Sequence, residues 1–165
     1  MTGPEIVTET ALAAGLLAAL IALTVIDLRT HRLPDLITLP LTAAGVGAAW
    51  LMAAPVWLHA LGAGVGYLAL VGVEKAYERA RGRQGLGRGD AKLFAAGGAW
   101  CGALALPFIL LAASVSALLY VGALKMISGR AIRADDMIAF GPFLAFGIAL
   151  IFILQRLGLA APLGL

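Results

Sequence analysis

The sequence has few of the residues on which soluble proteins depend. Of its 165 residues only 13% are charged and 7% are aromatic, and cysteine occurs once, at position 101. A single cysteine excludes a disulfide framework and any metal site built from several cysteines. Soluble domains carry roughly 25% charged residues, so this shortage excludes an ordinary soluble domain. The disordered, fibrous and nucleic-acid-binding classes are excluded with it.

Apolar residues and glycine make up most of the chain. Hydrophobic residues account for 62% of it, 21 residues are glycine, and the mean hydropathy is +0.99. A membrane-spanning helix needs about 20 apolar residues, so we expect one helix in each of the two shorter charge-free stretches and two in each of the longer ones. The stretches without Asp, Glu, Lys or Arg are 10–26, 36–73, 93–124 and 137–155.

Proline marks the expected breaks within the two longer stretches. Pro55 lies between Trp50 and Trp57, which are typical interfacial anchors, and Pro107 follows Leu106. The sequence therefore predicts an all-α polytopic membrane protein, with about six transmembrane helices in one compact bundle and a single domain over 1–165. Small residues four apart, such as Gly62 and Gly66, predict close helix packing. The expected spans are roughly 6–26, 36–54, 57–76, 90–106, 108–127 and 139–157.

The basic residues are distributed unevenly along these predicted spans. Eleven of the 12 Lys and Arg residues fall in loops on one side, at positions 29 and 32, in 75–92 and in 125–133. By the positive-inside rule these loops are cytoplasmic, which places both termini outside. The net charge of +3 therefore indicates membrane topology rather than a nucleic-acid partner.

Two aspartates lie at junctions between an apolar span and a basic loop. Asp27 ends the first predicted span and Asp90 opens the fourth. Because two spans separate them, both lie at the same membrane face in either orientation and can meet in space. Such a pair supports acid/base hydrolysis, with one ionised carboxylate activating water and a protonated one polarising a carbonyl. The structural alternatives are that Asp90 caps its helix and that Asp27 pairs with Arg29 or Arg32.

Helix position also predicts how a proton would be shared between the two aspartates. Asp90 is expected at the positive end of a helix dipole, which favours an ionised carboxylate, and Asp27 at a negative end, which favours protonation. We therefore expect Asp90 to be the ionised partner and Asp27 to hold the proton.

Three segments together resemble the signatures of a known family. Residues 27–40 read DLRTHRLPDLITLP, in which Pro34 and Asp35 follow the first aspartate, and residues 87–93 read GRGDAKL, a GxGD motif with Lys92 behind it. Residues 139–147 read AFGPFLAFG. In this order, on a six-span chain, they resemble the type IV prepilin peptidases, a family of GxGD membrane aspartic peptidases.

The resemblance implies an aspartic endopeptidase of the bacterial inner membrane. Such an enzyme removes the leader from type IV prepilins or pseudopilins, substrates with a basic leader and an apolar helix, at the cytoplasmic face and without a cofactor. Asp27 and Asp90 match the catalytic pair, whereas Asp35 belongs to the motif but not to the pair. Larger members carry an N-terminal domain with paired cysteines, which is linked to methylation. This sequence resembles the short, peptidase-only form that lacks it.

The remaining motif residues carry weaker expectations. Gly87 and Gly89 have no Cβ, so they let the loop take unusual angles and let a substrate strand approach Asp90, or they simply end a flexible loop. Lys92 is expected to meet lipid phosphate or substrate, or to snorkel to the interface. Asp35, directly after Pro34, is expected to cap the second helix.

The sequence has two histidines, His31 in a predicted loop and His59 near the predicted outer face. Too few ligands surround either of them, so the sequence predicts no metal site.

Two other functions fit a small glycine-rich bundle. A transporter that relays ions would place ionisable groups within its spans, whereas every carboxylate here lies outside the charge-free stretches. A non-enzymatic membrane subunit of a pilus or secretion machine is the second alternative. It predicts full function after Asp90→Asn.

Overall fold

A computed structural model of the chain describes residues 3–82, 87–128 and 139–159, and all regular structure within them is helical. The prediction of an all-α fold is confirmed. A short 3-10 turn, Ala103–Ala105, separates the fourth helix from the fifth. The six helices are α1 (Gly3–Thr30), α2 (Asp35–Leu51), α3 (Val56–Arg81), α4 (Arg88–Cys101), α5 (Leu106–Ser128) and α6 (Gly141–Arg156).

One of the two expected helix breaks lies where proline predicts it. α3 begins directly after Pro55, whose ring cannot continue a helix from the preceding turn. The break expected at Pro107 is wrong. α4 already ends before Gly102, which adopts a φ of 84° that favours glycine. Pro107 is instead the second residue of α5, where its missing N–H costs no hydrogen bond.

α4 lies at the centre of the bundle. Residues 93–101 are all buried, and the helix packs against α2, α3 and α6. Its 14 residues extend over about 21 Å at 1.5 Å per residue, which is less than the roughly 30 Å of a bilayer's hydrocarbon core. The helix that carries Asp90 is therefore enclosed by other helices rather than facing lipid.

Glycine allows α3 to approach α4 closely, as the sequence predicts. At the crossing of the two helices, a β-carbon on Gly62 would collide with the backbone at Gly98, and one on Gly98 would collide with the backbone at Gly62. One turn further along, a β-carbon on Gly66 would lie 3.0 Å from the Phe94 carbonyl oxygen. Gly64, on the same helix, has open space around it, so only one side of α3 depends on small residues.

The outer surface of the bundle is that of a multi-pass membrane protein. Within the described ranges three segments have the length and apolar composition to cross a bilayer, and α2 and α6 are apolar but shorter. Large apolar side chains such as Leu36, Trp50 and Met126 are exposed on this surface. The expected number of six crossings stays a prediction. The three long segments are Ile6–Thr30, Val56–Arg81 and Ala103–Ile127.

The two ends of the bundle differ in their charged groups. At one end Glu9 of α1 forms an ion pair with Arg156 of α6 at 3.0 Å, so the start of α1 lies beside the end of α6. Asp27 and Asp90 lie at the opposite end, where α1 finishes and α4 begins. The two aspartates therefore share one end of the molecule, as their separation by two predicted spans requires. The expected basic residues Arg130 and Arg133 lie outside the described residues.

Candidate active site

A cavity of about 290 Å³ opens at the end of the bundle that holds both aspartates. It lies where α1 ends, α2 begins and α4 begins, so three helix ends define its walls. The structure thus brings together the two residues that the sequence predicted to meet. The cavity is lined by Asp27, His31, Arg32, Leu33, Asp35, Gly87, Arg88, Gly89, Asp90 and Lys92.

Asp27 is buried in the last turn of α1, with 5% of its surface exposed. The helix continues to Thr30, so Asp27 lies inside the helix end and not at its final residue as expected. The backbone amide of Gly141, the first residue of α6, donates to the Asp27 carboxylate. Oδ2 of Asp27 is buried without a further hydrogen-bond partner in the described part of the chain. One oxygen of this carboxylate therefore remains available to hold a proton.

Asp90 is the third residue of α4 and is 9% exposed. Its carboxylate accepts a hydrogen bond from the backbone amide of Gly87, which occupies the N-cap position. This is the return half of a capping box, in which an acidic side chain reaches back to the N-cap amide. Asp90 therefore caps its helix, as the structural alternative expects, and the same carboxylate also lines the cavity and lies within electrostatic range of Asp27. Its catalytic role stays a prediction.

Lys92 and Asp35 differ from their expected roles. The Lys92 ammonium lies 2.5 Å from Asp35 Oδ1 and forms an ion pair with it, so Lys92 contacts an acid of α2 where lipid phosphate or substrate was expected. Pro34 is the N-cap of α2 and no side chain caps that helix end; the capping prediction for Asp35 is wrong. Because α4 is enclosed by other helices, the start of α2 lies within reach of Lys92.

Neither glycine of the motif has a left-handed backbone, and lack of space explains only Gly89. Gly87 has a φ of −76° and a ψ of 138°, a conformation that any residue adopts, so that expectation is wrong there. At Gly89 a β-carbon would lie 2.9 Å from the β-carbon of Leu33. The first turn of α4 therefore packs directly on the connection between α1 and α2, which leaves no room for a side chain.

Several residues of the cavity wall were not assigned to the site from the sequence. His31 adopts a left-handed φ of 51° and its amide donates to the Asp27 carbonyl oxygen at 2.8 Å, which closes α1. Arg32 and Arg88 add positive charge to the wall. Gly141 was part of the resemblance, but nothing in its spacing indicated contact with Asp27. In the described ranges no three His, Cys, Asp or Glu side chains are grouped so that they could hold a metal ion.

The arrangement has the components of acid/base hydrolysis. Two carboxylates from different helices line one cavity. Asp27 receives the amide of the first residue of α6, and Asp90 receives the amide of its own helix's N-cap. Carboxylates that interact electrostatically do not ionise independently. The cavity is open to the outside, as access for a peptide requires.

The sequence is similar to those of known proteins over most of its length. The type IV leader peptidase family matches residues 14–122, a range that contains both aspartates. The prepilin leader peptidase/N-methyltransferase of Burkholderia pseudomallei strain 1026b is 45% identical over 139 residues, which cover 83% of this chain and 44% of that protein. The protein of the same name from Escherichia coli K12 is 42% identical over 131 residues, or 77% of this chain and 56% of that one.

A third relative with that name, from Xanthomonas campestris pv. campestris, is 43% identical over 128 residues and 76% of this chain. The chain spans about half the length of the curated relatives that it matches. No solved structure matches it.

Proposed function

Because the chain belongs to the type IV leader peptidase family, we propose that it is a membrane aspartic endopeptidase that cleaves the leader from type IV prepilins or pseudopilins. The observation that carries the proposal is the shared cavity of Asp27 and Asp90, the two residues that match the family's signature aspartates. Relatives with 42 to 45% identity are named prepilin leader peptidases, which supports the same reaction here.

In the proposed mechanism, Asp90 is the general base and Asp27 the general acid. A water molecule between the two carboxylates loses a proton to Asp90 as its oxygen attacks the scissile carbonyl carbon. Asp27 gives its proton to the carbonyl oxygen, which yields a neutral tetrahedral intermediate. Its collapse breaks the C–N bond: the proton held by Asp90 passes to the leaving amine, and a hydroxyl proton of the intermediate returns to Asp27. The unpartnered Oδ2 of Asp27 supports its role as the proton carrier.

The other motif residues hold this pair in place in the proposal. The Gly87 amide orients Asp90, and Gly89 lets the start of α4 approach Leu33. Pro34 starts α2, and Asp35 ties that helix to Lys92. We expect Arg32, in the cavity wall, to add to the local charge that the substrate meets.

The proposed location is the bacterial inner membrane, with the cavity at the cytoplasmic face. In the predicted topology, eleven of the 12 basic residues fall on the side of Asp27 and Asp90, which supports this orientation through the positive-inside rule. Both termini then lie outside. A prepilin would approach with its apolar helix in the lipid and its cleavage site at the cavity.

Co-expression with a prepilin substrate tests the proposal. Wild type, Asp27→Asn and Asp90→Asn are compared by gel shift and N-terminal sequencing of the product, with membrane levels measured in parallel. Glu78→Gln is the matched control, because this carboxylate is exposed at the same end of the bundle. We expect wild type and the control to cleave and both aspartate variants to be inactive at equal membrane levels. Cleavage that survives both substitutions would contradict the aspartic mechanism.

A further inference from the structure

Glu74 is a buried carboxylate that the proposed reaction does not use. It lies in the second half of α3, is 4% exposed, and is absent from the walls of the active-site cavity. Its Oε1 lies 3.5 Å from Nε of Arg88, whose side chain is 65% exposed. A charge that is buried beside a membrane is costly and usually has a function.

Stability does not explain why this carboxylate is retained. Desolvation of a buried ion pair commonly offsets the attraction between its partners, so replacing such a pair with uncharged groups is often neutral or stabilising. The pair has further reasons to be weak, because Arg88 is mostly in water and Oε2 of Glu74 is buried without a hydrogen bond to any residue that the structure describes. The position of Arg88 in the chain offers a better explanation.

Arg88 is the first residue of α4, two residues before Asp90. Four residues further along the same helix, Lys92 forms its ion pair with Asp35 of α2. Residues at i and i+4 lie on one side of a helix, one turn apart, and Arg88, Asp90 and Lys92 all reach the wall of the cavity. The first turn of α4 is thus tied to α3 through Arg88 and to α2 through Lys92, and Asp90 between them faces Asp27 in the cavity.

We propose that Glu74 is a positioning residue for the reaction. Through Arg88 it fixes the first turn of α4, and so sets where the Asp90 carboxylate lies relative to Asp27. The inference rests on the proposed function, since a position matters for catalysis only if Asp90 is catalytic. It requires no contact between Glu74 and substrate, which agrees with its place outside the cavity wall.

Kinetics of Glu74→Gln give the first test, because glutamine keeps the shape and removes the charge. We expect kcat for prepilin cleavage to fall about tenfold, since small misplacements of a catalytic group have effects of this order, while KM stays constant. Melting temperature in detergent should not fall, because Arg88, the partner that loses its ion pair, is mostly in water and leaves no buried charge behind. Arg88→Lys should keep most of the activity, and Glu74→Gln/Arg88→Gln should be no slower than Glu74→Gln. Glu78→Gln, one turn further along α3, is the matched control and should match wild type.

Hydrogen exchange gives a second readout that needs no cleavage. The Asp90 amide donates to the Gly87 carbonyl oxygen at 3.0 Å in the first turn of α4, and local opening of this turn sets how fast that amide exchanges. In full-length protein in detergent, we expect Glu74→Gln to speed exchange of the Asp90 amide, because the first turn of α4 is no longer fixed. Glu78→Gln should leave the rate unchanged.

The two readouts separate the inference from the proposed function. Unchanged hydrogen exchange with Glu74→Gln overturns the positioning role, whatever happens to cleavage. Faster exchange with normal kcat also overturns it, because Asp90 then works without the tether. If wild type cleaves no prepilin but Glu74→Gln still speeds exchange, the proposed function fails while the tether itself stands.

Discussion

Gly141 and Asp27 are matched in space across the bundle: the Gly141 amide donates to the Asp27 carboxylate, and a β-carbon on residue 141 would lie 2.5 Å from Asp27 Oδ2. Gly141 is the first residue of α6, and Asp90 lies in the first turn of α4. Two helix N-termini therefore converge on the carboxylate pair. Partial positive charge at such ends favours anions, which suits a site where two carboxylates share one proton.

Gly141→Ala should displace the Asp27 carboxylate. We expect prepilin cleavage to fall at least about tenfold, because the methyl group and Oδ2 cannot occupy the same space and reacting groups tolerate little misplacement. The check is the cleavage rate at equal membrane levels. Gly122→Ala, in α5, is the matched control, since a β-carbon there has nothing within 4 Å. Wild-type cleavage by Gly141→Ala would show that Asp27 does not need this position.

The pH dependence of kcat/KM should be bell-shaped. As the pH falls, the ionised carboxylate of the pair gains a proton and the base is lost; as the pH rises, the shared proton leaves and the acid is lost. Initial cleavage rates in detergent from about pH 4 to about pH 9, a range that brackets carboxylate titration, would measure both limbs. A flat profile in this range would contradict a shared proton.

Isotope-edited infrared spectroscopy of the aspartates would identify which one is protonated. We expect the protonated carbonyl band of the resting protein to disappear in Asp27→Asn and to persist in Asp90→Asn, since Asp27 is the proposed proton carrier. The reverse pattern would exchange the two roles. The N-terminus of α6, which faces Asp27, would then stabilise the ionised form of that residue.

The sequence was sufficient for the parts of the site that depend on topology. Charge-free stretches predicted the helices, and an even number of crossings predicted that Asp27 and Asp90 share one end. It was insufficient where the answer depends on a contact between distant segments. Asp27 contacts Gly141 because of how α6 packs, and Lys92 contacts Asp35 because of how α2 packs. No local sequence pattern predicts either contact.

The ion pair between Lys92 and Asp35 should matter more for rate than for stability. Its side chains are 25% and 57% exposed, and exposed pairs contribute about 0 to 1 kcal/mol. We therefore expect Lys92→Met and Asp35→Asn each to slow cleavage several-fold with little change in melting temperature, and the double variant to be no slower than either. Lys75→Met, exposed at the same end, is the control. Additive losses in the double variant would show that the two residues act separately.

The crossing of α3 and α4 should be intolerant of any side chain. Gly62→Ala and Gly98→Ala place a methyl group inside the neighbouring backbone, and overpacking of this kind costs about 1 to 3 kcal/mol or more. Thermal unfolding in detergent would show the loss. Gly64→Ala should leave the melting temperature unchanged or raise it slightly, because its β-carbon meets nothing and alanine favours a helix. Equal stability of all three variants would contradict the close crossing.

The break before α5 shows why hydropathy alone misplaced a boundary. The sequence around Pro107 is apolar on both sides, and proline was the visible signal. The chain turns instead at Gly102, where a positive φ ends α4. A glycine in a glycine-rich chain carries little information by itself, so the choice between the two positions is made by the packing of α4.

The enclosure of α4 also shields the helix that carries Asp90 from changes in the thickness of the surrounding lipid. When a bilayer thins or thickens, helices in contact with lipid respond by tilting, and here those are the long helices α1, α3 and α5 on the outside of the bundle. α4 has a protein environment on every side along residues 93–101. The protein can therefore adapt at its perimeter to membranes of different lipid composition while the helix that carries Asp90 keeps its surroundings. Asp27, on α1, is the member of the pair that such a change reaches.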